Sequence, residues 1–297
     1  MPNEPELAVI VTTYERPAHL ERCLHCLSLQ QGVDGRFEVI VADDGSKDRT
    51  EQVVRNFARS VNFKVKWVSH PHLGFRAAMC RNDGVRATRA PYFLFADGDC
   101  LVLPDHLRQH LRARRPGIVR AGDCLRLDRE ATDRVDRKAI DSGDYRQWVA
   151  RAERFRLLTQ QIKNRYHELV GHVKKPKLIS NDFGIWREDF EAINGFDESF
   201  VGWGCEDDDL AYRLRRAGRR ILSVLAYTHG YHMWHPTVPS RPAEWKLGSN
   251  VNRLLSPVRP IQCEQGLALL HDPHDNGPHR PAESSRAARG IESHRAA

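Results

Sequence analysis

The 297-residue sequence contains no apolar run near the roughly 18 residues that cross a bilayer. Its start, MPNEPELAVIVTTYERP, puts acidic rather than basic side chains ahead of a short apolar core, unlike a secretory leader. Cysteines number only seven and are irregularly spaced, so a disulfide framework is disfavoured and the reduced thiols of a cytoplasmic protein are expected. Cys23 and Cys26 have CxxC spacing, but no second such pair completes a zinc site. Leu20, Cys23, Leu24 and Leu27 share a helical pattern, which favours core-facing thiols. Glycine patterns are missing too. No GxGxxG follows the first apolar run and no GxxxxGK[ST] occurs, so dinucleotide-binding and P-loop chemistry lose support.

What is there is a globular composition, 40% hydrophobic and 29% charged, enough for one large α/β domain or two small ones. The net charge of +7 is concentrated in residues 105–178, where 19 Lys and Arg face 10 Asp and Glu, an excess of 19 − 10 = +9. No aromatic-interleaved basic motif or zinc-finger spacing accompanies this charge. A solvated helical face, or a patch for anionic lipids or glycans, is therefore favoured over a nucleic-acid surface.

The first hundred residues alternate strand-like and helical patterns, as a parallel sheet wrapped by helices requires. Strands are expected over 7–13, 37–42, 63–69 and 91–96, with helices over 17–30, 48–60 and 74–88. Polar residues stand at the carboxyl ends of these strands, the edge where open α/β sheets bind ligands. Beyond Pro104 the pattern predicts a helix over 105–114, a strand over 118–121 and a long Arg-rich helix over 145–170. Order returns at 178–186, and a helix over 206–217 stops at Gly218. Residues 272–297, rich in Pro, Ser, Gly and Ala, read as a disordered tail.

Three clusters carry chemistry. Asp97-Gly98-Asp99 follows an apolar strand and can present two carboxylates to a hard cation bridging a diphosphate, although the same triplet is ordinary turn chemistry. Asp43-Asp44-Gly45-Ser46 is open to the same two readings, with Asp48 available to cap the next helix. Beside it, Thr12, Thr13 and Tyr14 would complete a wall suited to a nucleotide base and ribose. Glu206 to Asp209 are four consecutive acids at a helix start, where the helix dipole alone offers a structural explanation. His229, His232 and His235 lie within seven residues and suggest metal, unless they only stack and cap.

The ordered series VIVTTYERP, VIVADDGSKD, GFRAAMCRNDG and FLFADGD resembles the family 2 nucleotide-sugar glycosyltransferases of GT-A fold. The resemblance implies a mostly parallel, Rossmann-like central sheet flanked by helices. It assigns nucleotide roles to Thr12, Tyr14, Asp43, Asp44 and Arg81, with Asp97 on the donor and Asp97 and Asp99 on metal. Cys80 stands where the family usually has Ala, a change expected to be neutral.

Residues 181–218, which include GWGCEDDDL, are similar to the galactosyltransferase-type segment of β-1,4-galactosyltransferases, polypeptide GalNAc transferases and bacterial chondroitin polymerases. That similarity implies Asp207 as catalytic base, Glu206 and Asp208 at the acceptor, and Trp203 stacking on sugar. Cys205 replaces the usual small residue before the Glu. YHMWHP resembles the YHLWHP of bacterial relatives and favours His232 as third metal ligand, with His235 second; Mn²⁺ suits this set at least as well as Mg²⁺.

The expected protein is one GT-A domain with a donor half (1–103), a basic helical insert (104–178) and an acceptor and catalytic half (179–271). It would transfer a hexose or N-acetylhexosamine, galactose-type favoured, with inversion from a UDP-sugar to a glycan or lipid-linked oligosaccharide. Peripheral contact at the inner membrane face is expected and nucleic acid is not. The alternatives are a catalytically silent UDP-sugar-binding protein and a basic nucleic-acid-binding protein. The acidic motifs disfavour the second, and the presence of both the base and the metal carboxylates disfavours the first.

Overall fold

The near-continuous apolar runs become the middle of a parallel sheet. In the computed structural model, which describes residues 4–237, 240–256 and 259–268, β1 (Leu7–Thr13) leads to α1 (Pro17–Ser28) and β2 (Phe37–Asp43) to α2 (Thr50–Ser60). Next come β3 (Val65–Ser69), α3 (Ala77–Arg86) and β4 (Tyr92–Asp97). The four strands run parallel in the order β3-β2-β1-β4. Alternate residues of β1 feed two cores. Leu7, Val9 and Val11 pack on the side of α1 and α2, whereas Ala8 and Ile10 pack on the side of α3. Each buried Leu, Ile or Val contributes about 1.5–3 kcal/mol against the entropy of ordering the chain.

The chain continues through β5 (Cys100–Val102), α4 (His106–Ala113), β6 (Ile118–Ala121), β7 (Cys124–Arg126), α5 (Arg129–Arg134), α6 (Arg137–Ser142) and α7 (Arg151–Leu169). It then forms β8 (Asp182–Trp186), α8 (Arg187–Glu191), α9 (Glu206–Arg216), β9 (Arg220–Ser223), β10 (Gly230–His232) and α10 (Val251–Leu254). β8 pairs antiparallel with β4 and with β6, and β9 runs parallel to β6, completing a seven-stranded sheet ordered β3-β2-β1-β4-β8-β6-β9. A small second sheet, β5-β10-β7, brings Cys100 opposite His232. The basic stretch 104–178 thus supplies strands to both sheets as well as helices.

Three differences from the sequence reading have local causes. The helix expected over 145–170 is split: a 3₁₀ turn covers Asp144–Trp148, and Val149 and Ala150 are extended before α7 begins. Buried Tyr145 and Val149 pin that break into the core. Residues 127–144, which the pattern left unassigned, hold two short helices because Asp128 and Asp136 accept hydrogen bonds from Ala131 N and Ala139 N at 2.8 and 2.7 Å. The helix expected from Gly74 starts at Ala77, because Gly74 adopts a left-handed φ of 87°. Asp48 behaves as expected and accepts from Thr50 N at 2.9 Å. All seven cysteines are buried and none forms a disulfide. Among the described residues no helix is long and apolar enough to cross a membrane; the stretch 272–297 lies outside them.

Candidate active site

Parallel pairing aligns the strand ends that carry polar side chains. Thr12 lies opposite Asp97 and Thr13 opposite Asp43, so the sequence-predicted donor residues gather on one edge of the sheet. A cleft of about 600 Å³ opens there, lined by Thr12, Tyr14, Asp44, Arg81, Asp97 and Asp99 from the first half and by Trp203, His232 and His235 from the second. Arg16, Arg126 and Arg241 also line it.

The first acidic pair is rigidly held. Asp43, buried at the end of β2, accepts from Ser46 N at 3.0 Å and from the hydroxyls of Ser46 and Ser69. Burial pushes its carboxyl up against the pull of those bonds. Asp44 accepts from Arg76 N at 3.2 Å and pairs with His70 Nε2 at 2.8 Å, while His70 Nδ1 meets Asp83 at 2.8 Å. Burial opposes charging of His70. Bonds to two carboxylates outweigh it and lift its pKa to about 9, so both ring nitrogens donate at neutral pH. Tyr14 stacks on His72 with ring centroids 4.1 Å apart.

Arg81 joins the two halves. Fully inside the protein, its Nη2 donates to Asp97 Oδ1 at 3.1 Å and its Nη1 to Glu206 Oε1 at 3.2 Å. Thr12 Oγ1 donates to the same Asp97 oxygen at 2.8 Å. Asp97 is therefore held by a guanidinium and a hydroxyl, and Glu206, expected at the acceptor, is a buried partner of Arg81.

Asp99 occupies the other corner. Its oxygens lie 3.5 Å from His232 Nε2 and 3.3 Å from His235 Nε2, and Arg16 donates to it at 3.1 Å. Burial works against its charge, but the bond to His235 and the positive fields of His232, His235 and Arg16 hold its carboxyl well below the usual range. His235 Nδ1 is engaged by Pro236 O at 2.7 Å, which leaves Nε2 facing the carboxylate. One carboxylate and two imidazoles with donor atoms within 4.8 Å of one another fit a divalent cation. Both histidines belong to this set. His229 does not; it lies 3.3 Å from Tyr231 Oη, and burial lowers its pKa. Asp97 is likewise outside the set.

The four acids of α9 separate into roles. Glu206 meets Arg81, while Asp209 is buried against Arg213 at 2.7 Å and Arg259 at 3.4 Å. Asp208 is partly exposed, 3.9 Å from Lys177. Asp207 is half-buried, forms no ion pair among the described residues and feels Arg81 only through its field. Burial and the neighbouring charges of Glu206 and Asp208 raise its pKa to about 7. None of the four lines the cleft itself; Arg81 and Trp203 of its wall connect it to them. The preceding turn needs left-handed backbone at Gly202, Gly204 and Cys205, with φ of 87°, 89° and 77°. Arg241 stacks on Trp203 at 4.9 Å.

Sequence reasoning missed Arg16, His70 and His72. A lone Arg or His in a loop carries no pattern; only the YERP segment following β1 hinted at Arg16.

The family described as glycosyl transferase family 2 matches residues 8–119. One described as the N-terminal domain of galactosyltransferase matches residues 160–236. Validoxylamine A glucosyltransferase of Streptomyces hygroscopicus subsp. limoneus is 30% identical over 240 residues, 72% of this chain and 49% of that protein. Chondroitin synthase of Escherichia coli is 26% identical over 264 residues, 80% of this chain and 36% of that protein. The chain thus spans half or less of the length of these relatives. Among solved structures, a mannosyltransferase from Pyrobaculum calidifontis in complex with GDP-Man and Mn²⁺ superposes with a TM-score of 0.51 at 18% identity, covering 80% of this chain and 59% of that one. TarS 1–349 of S. aureus in complex with UDP-GlcNAc gives 0.51 at 16% identity, covering 78% and 60%. The fold is that of the GT-A glycosyltransferases. Over residues 8–119 the chain belongs to glycosyl transferase family 2.

Proposed function

We propose that the protein transfers a hexose or N-acetylhexosamine, galactose-type favoured, from a UDP-sugar to a glycan or lipid-linked acceptor with inversion, using Asp207 as general base. The observation that carries this reading is the contrast between two carboxylates joined to one cleft. Asp99 is held ionised among imidazoles, whereas Asp207 is tuned to about 7, the value a base working near neutrality needs.

Residues up to 103 take the donor, with Thr12, Tyr14, Asp43 and Asp44 at the base and ribose; residues from 179 onward supply the acceptor side. Arg16, Arg126 and Arg241 give the cleft a positive lining for a diphosphate. Asp99, His232 and His235 would hold Mn²⁺ or Mg²⁺, with Asp97 within reach through the donor, and a bound cation neutralises the leaving diphosphate. Trp203 offers an aromatic face to the acceptor sugar, and Asp208 borders it. Asp207 takes the proton of the acceptor hydroxyl as that oxygen bonds to the anomeric carbon. The anomeric bond to the diphosphate breaks from the opposite side, inverting an α-linked donor. Arg81 fixes Asp97 and Glu206, so donor and base keep one geometry.

Acceptor or membrane contact falls to α7. Phe155, Leu158, Ile162, Tyr166 and Leu169 form an exposed apolar ridge, each more than half exposed, beside exposed Lys163 and Arg165. Apolar ridge and basic flank together suit an anionic lipid surface at the inner membrane face. Seven buried cysteines outside any disulfide agree with a reducing, cytoplasmic compartment. A panel of UDP-sugars with Mn²⁺, scored for UDP release with and without glycan acceptors, tests the reading. Acceptor-stimulated release from one donor is expected, and UDP-sugar binding with no turnover on any acceptor would favour a silent binding protein.

A further inference from the structure

Away from the cleft, three titratable side chains meet in the core. His106 and His110, four residues apart on α4, face Asp182, the first residue of β8. All three are fully enclosed, with exposures of 1%, 0% and 3%. The Nε2 atoms of both histidines converge on the same oxygen, Asp182 Oδ1, at 3.3 and 3.1 Å. Yet neither Asp182 oxygen and neither ring nitrogen of His110 makes a hydrogen bond of acceptable geometry to a described residue. A dry carboxylate with no donor is costly. The arrangement is better explained by lone pairs aimed at a common point than by N–H groups aimed at an oxygen.

Three further features fit an ion at that point. Separations of 3.1 and 3.3 Å match the edges of a tetrahedron, about 3.3 Å, drawn around zinc with bonds of about 2.0–2.1 Å. His106 Nδ1 is 2.7 Å from Thr228 Oγ1, an outer contact of the kind that orients a ligating ring, with Nε2 turned to Asp182. Two glycines let the backbone close over the cluster: a Cβ at Gly122 would fall 2.1 Å from Asp182 Oδ2 and one at Gly184 2.9 Å from His110 Nδ1.

We propose that His106, His110 and Asp182 form a buried structural site for a divalent transition metal, zinc above all, separate from the cleft. Two neutral imidazoles and an ionised carboxylate engaging through both oxygens supply four donors of the kind zinc takes. With no opening to solvent, the ion has no substrate position; it cross-links α4 to β8 and, through Thr228, to the segment entering β10. Asp182 is opposite Ala96, the neighbour of Asp97, and Thr228 precedes His232 by four residues. The site therefore braces both strands that carry the cleft's acidic and imidazole groups. It does not depend on the transfer reaction proposed above.

The test uses the full chain without a histidine tag, carrying Asp99→Ala and His232→Ala to remove the cleft donors. Metal analysis after dialysis is expected to find about one zinc per chain. Adding His106→Gln and His110→Gln should reduce that at least ~10-fold. Should the Gln variant fail to fold, the Asp99→Ala, His232→Ala protein expressed in cobalt-supplemented medium supplies an independent reading: the strong visible absorption of four-coordinate Co²⁺ is expected. Less than about a tenth of an equivalent of transition metal together with no cobalt bands would overturn the proposal, leaving a hydrogen-bonded His-Asp-His cluster. Undiminished metal in a folded Gln variant would overturn it as well.

Discussion

Arg81 Nη1 donates to Glu206 Oε1 over 3.2 Å, joining two residues 125 positions apart. Because the other arm of the guanidinium holds Asp97, Arg81→Lys cannot serve both carboxylates. It should destabilise the fold by roughly 1–3 kcal/mol in urea denaturation and reduce transfer at least ~10-fold through misplacement. Unchanged stability and turnover in Arg81→Lys would mean that the bridge is dispensable.

Asp207→Asn keeps the size of the side chain but cannot accept a proton, so transfer should fall by roughly 10²- to 10⁴-fold while UDP affinity, followed by calorimetry, barely changes. In the wild type the rate should rise with pH through a midpoint near 7, as the raised carboxyl ionises. A flat profile from pH 5.5 to 8.5, with chemistry rate-limiting, would remove Asp207 from the role of base.

His70 gives a stability signature of opposite sense. Its folded pKa of about 9 exceeds the ordinary imidazole value of 6.5, so its contribution is fully present below pH 6.5 and is lost as pH rises through 9. Against His70→Gln, the wild type should lose on the order of 2–3 kcal/mol of relative stability across that window. Parallel pH profiles of the two proteins would show that the Asp44 and Asp83 contacts do not hold a charged ring.

The metal set is separable by histidine. Loss of His232 or His235 should weaken Mn²⁺-dependent UDP binding at least ~10-fold, Asp99→Ala should abolish it, and His229→Ala should leave it unaltered. Equal losses at all three histidines would point to general unfolding of the small sheet.

Leu158→Glu with Ile162→Glu should weaken binding to anionic vesicles by about tenfold or more for each buried side chain lost, without altering UDP binding. Arg156 is a poor choice for charge reversal, since it already donates to Glu153 and Asp123, both at 2.9 Å. Equal partitioning of wild type and double variant would reduce the ridge to an ordinary solvated helix face.

The long features were legible before the structure. β1, β2 and β4 are runs of apolar side chains buried on both faces, and GWGCEDDDL announced the start of α9. Three-residue strands such as β5, β7 and β10 were not legible, because three residues display no period. Their pairing alone explains why His232 sits over Cys100 beside Asp99. The His106–His110 spacing was also silent: i, i+4 histidines on an amphipathic helix look like any packed pair until β8 delivers Asp182. Four successive acids gave no hint that Asp209 and Glu206 would be spent on arginines.

The sheet order has a consequence for synthesis. β1 to β4 are contiguous in sequence and can pair as they leave the ribosome, but the outer edge of β4 is covered only by β8, which begins at Asp182. For about 85 residues of translation an apolar parallel edge stands open on the nascent chain, a template for wrong pairing. Arg81, meanwhile, is placed in the core with Asp97 as its carboxylate partner from the emerged half. Protection by a chaperone, or aggregation when translation stalls before β8, is the expected cost of placing the two halves of one cleft so far apart in the gene.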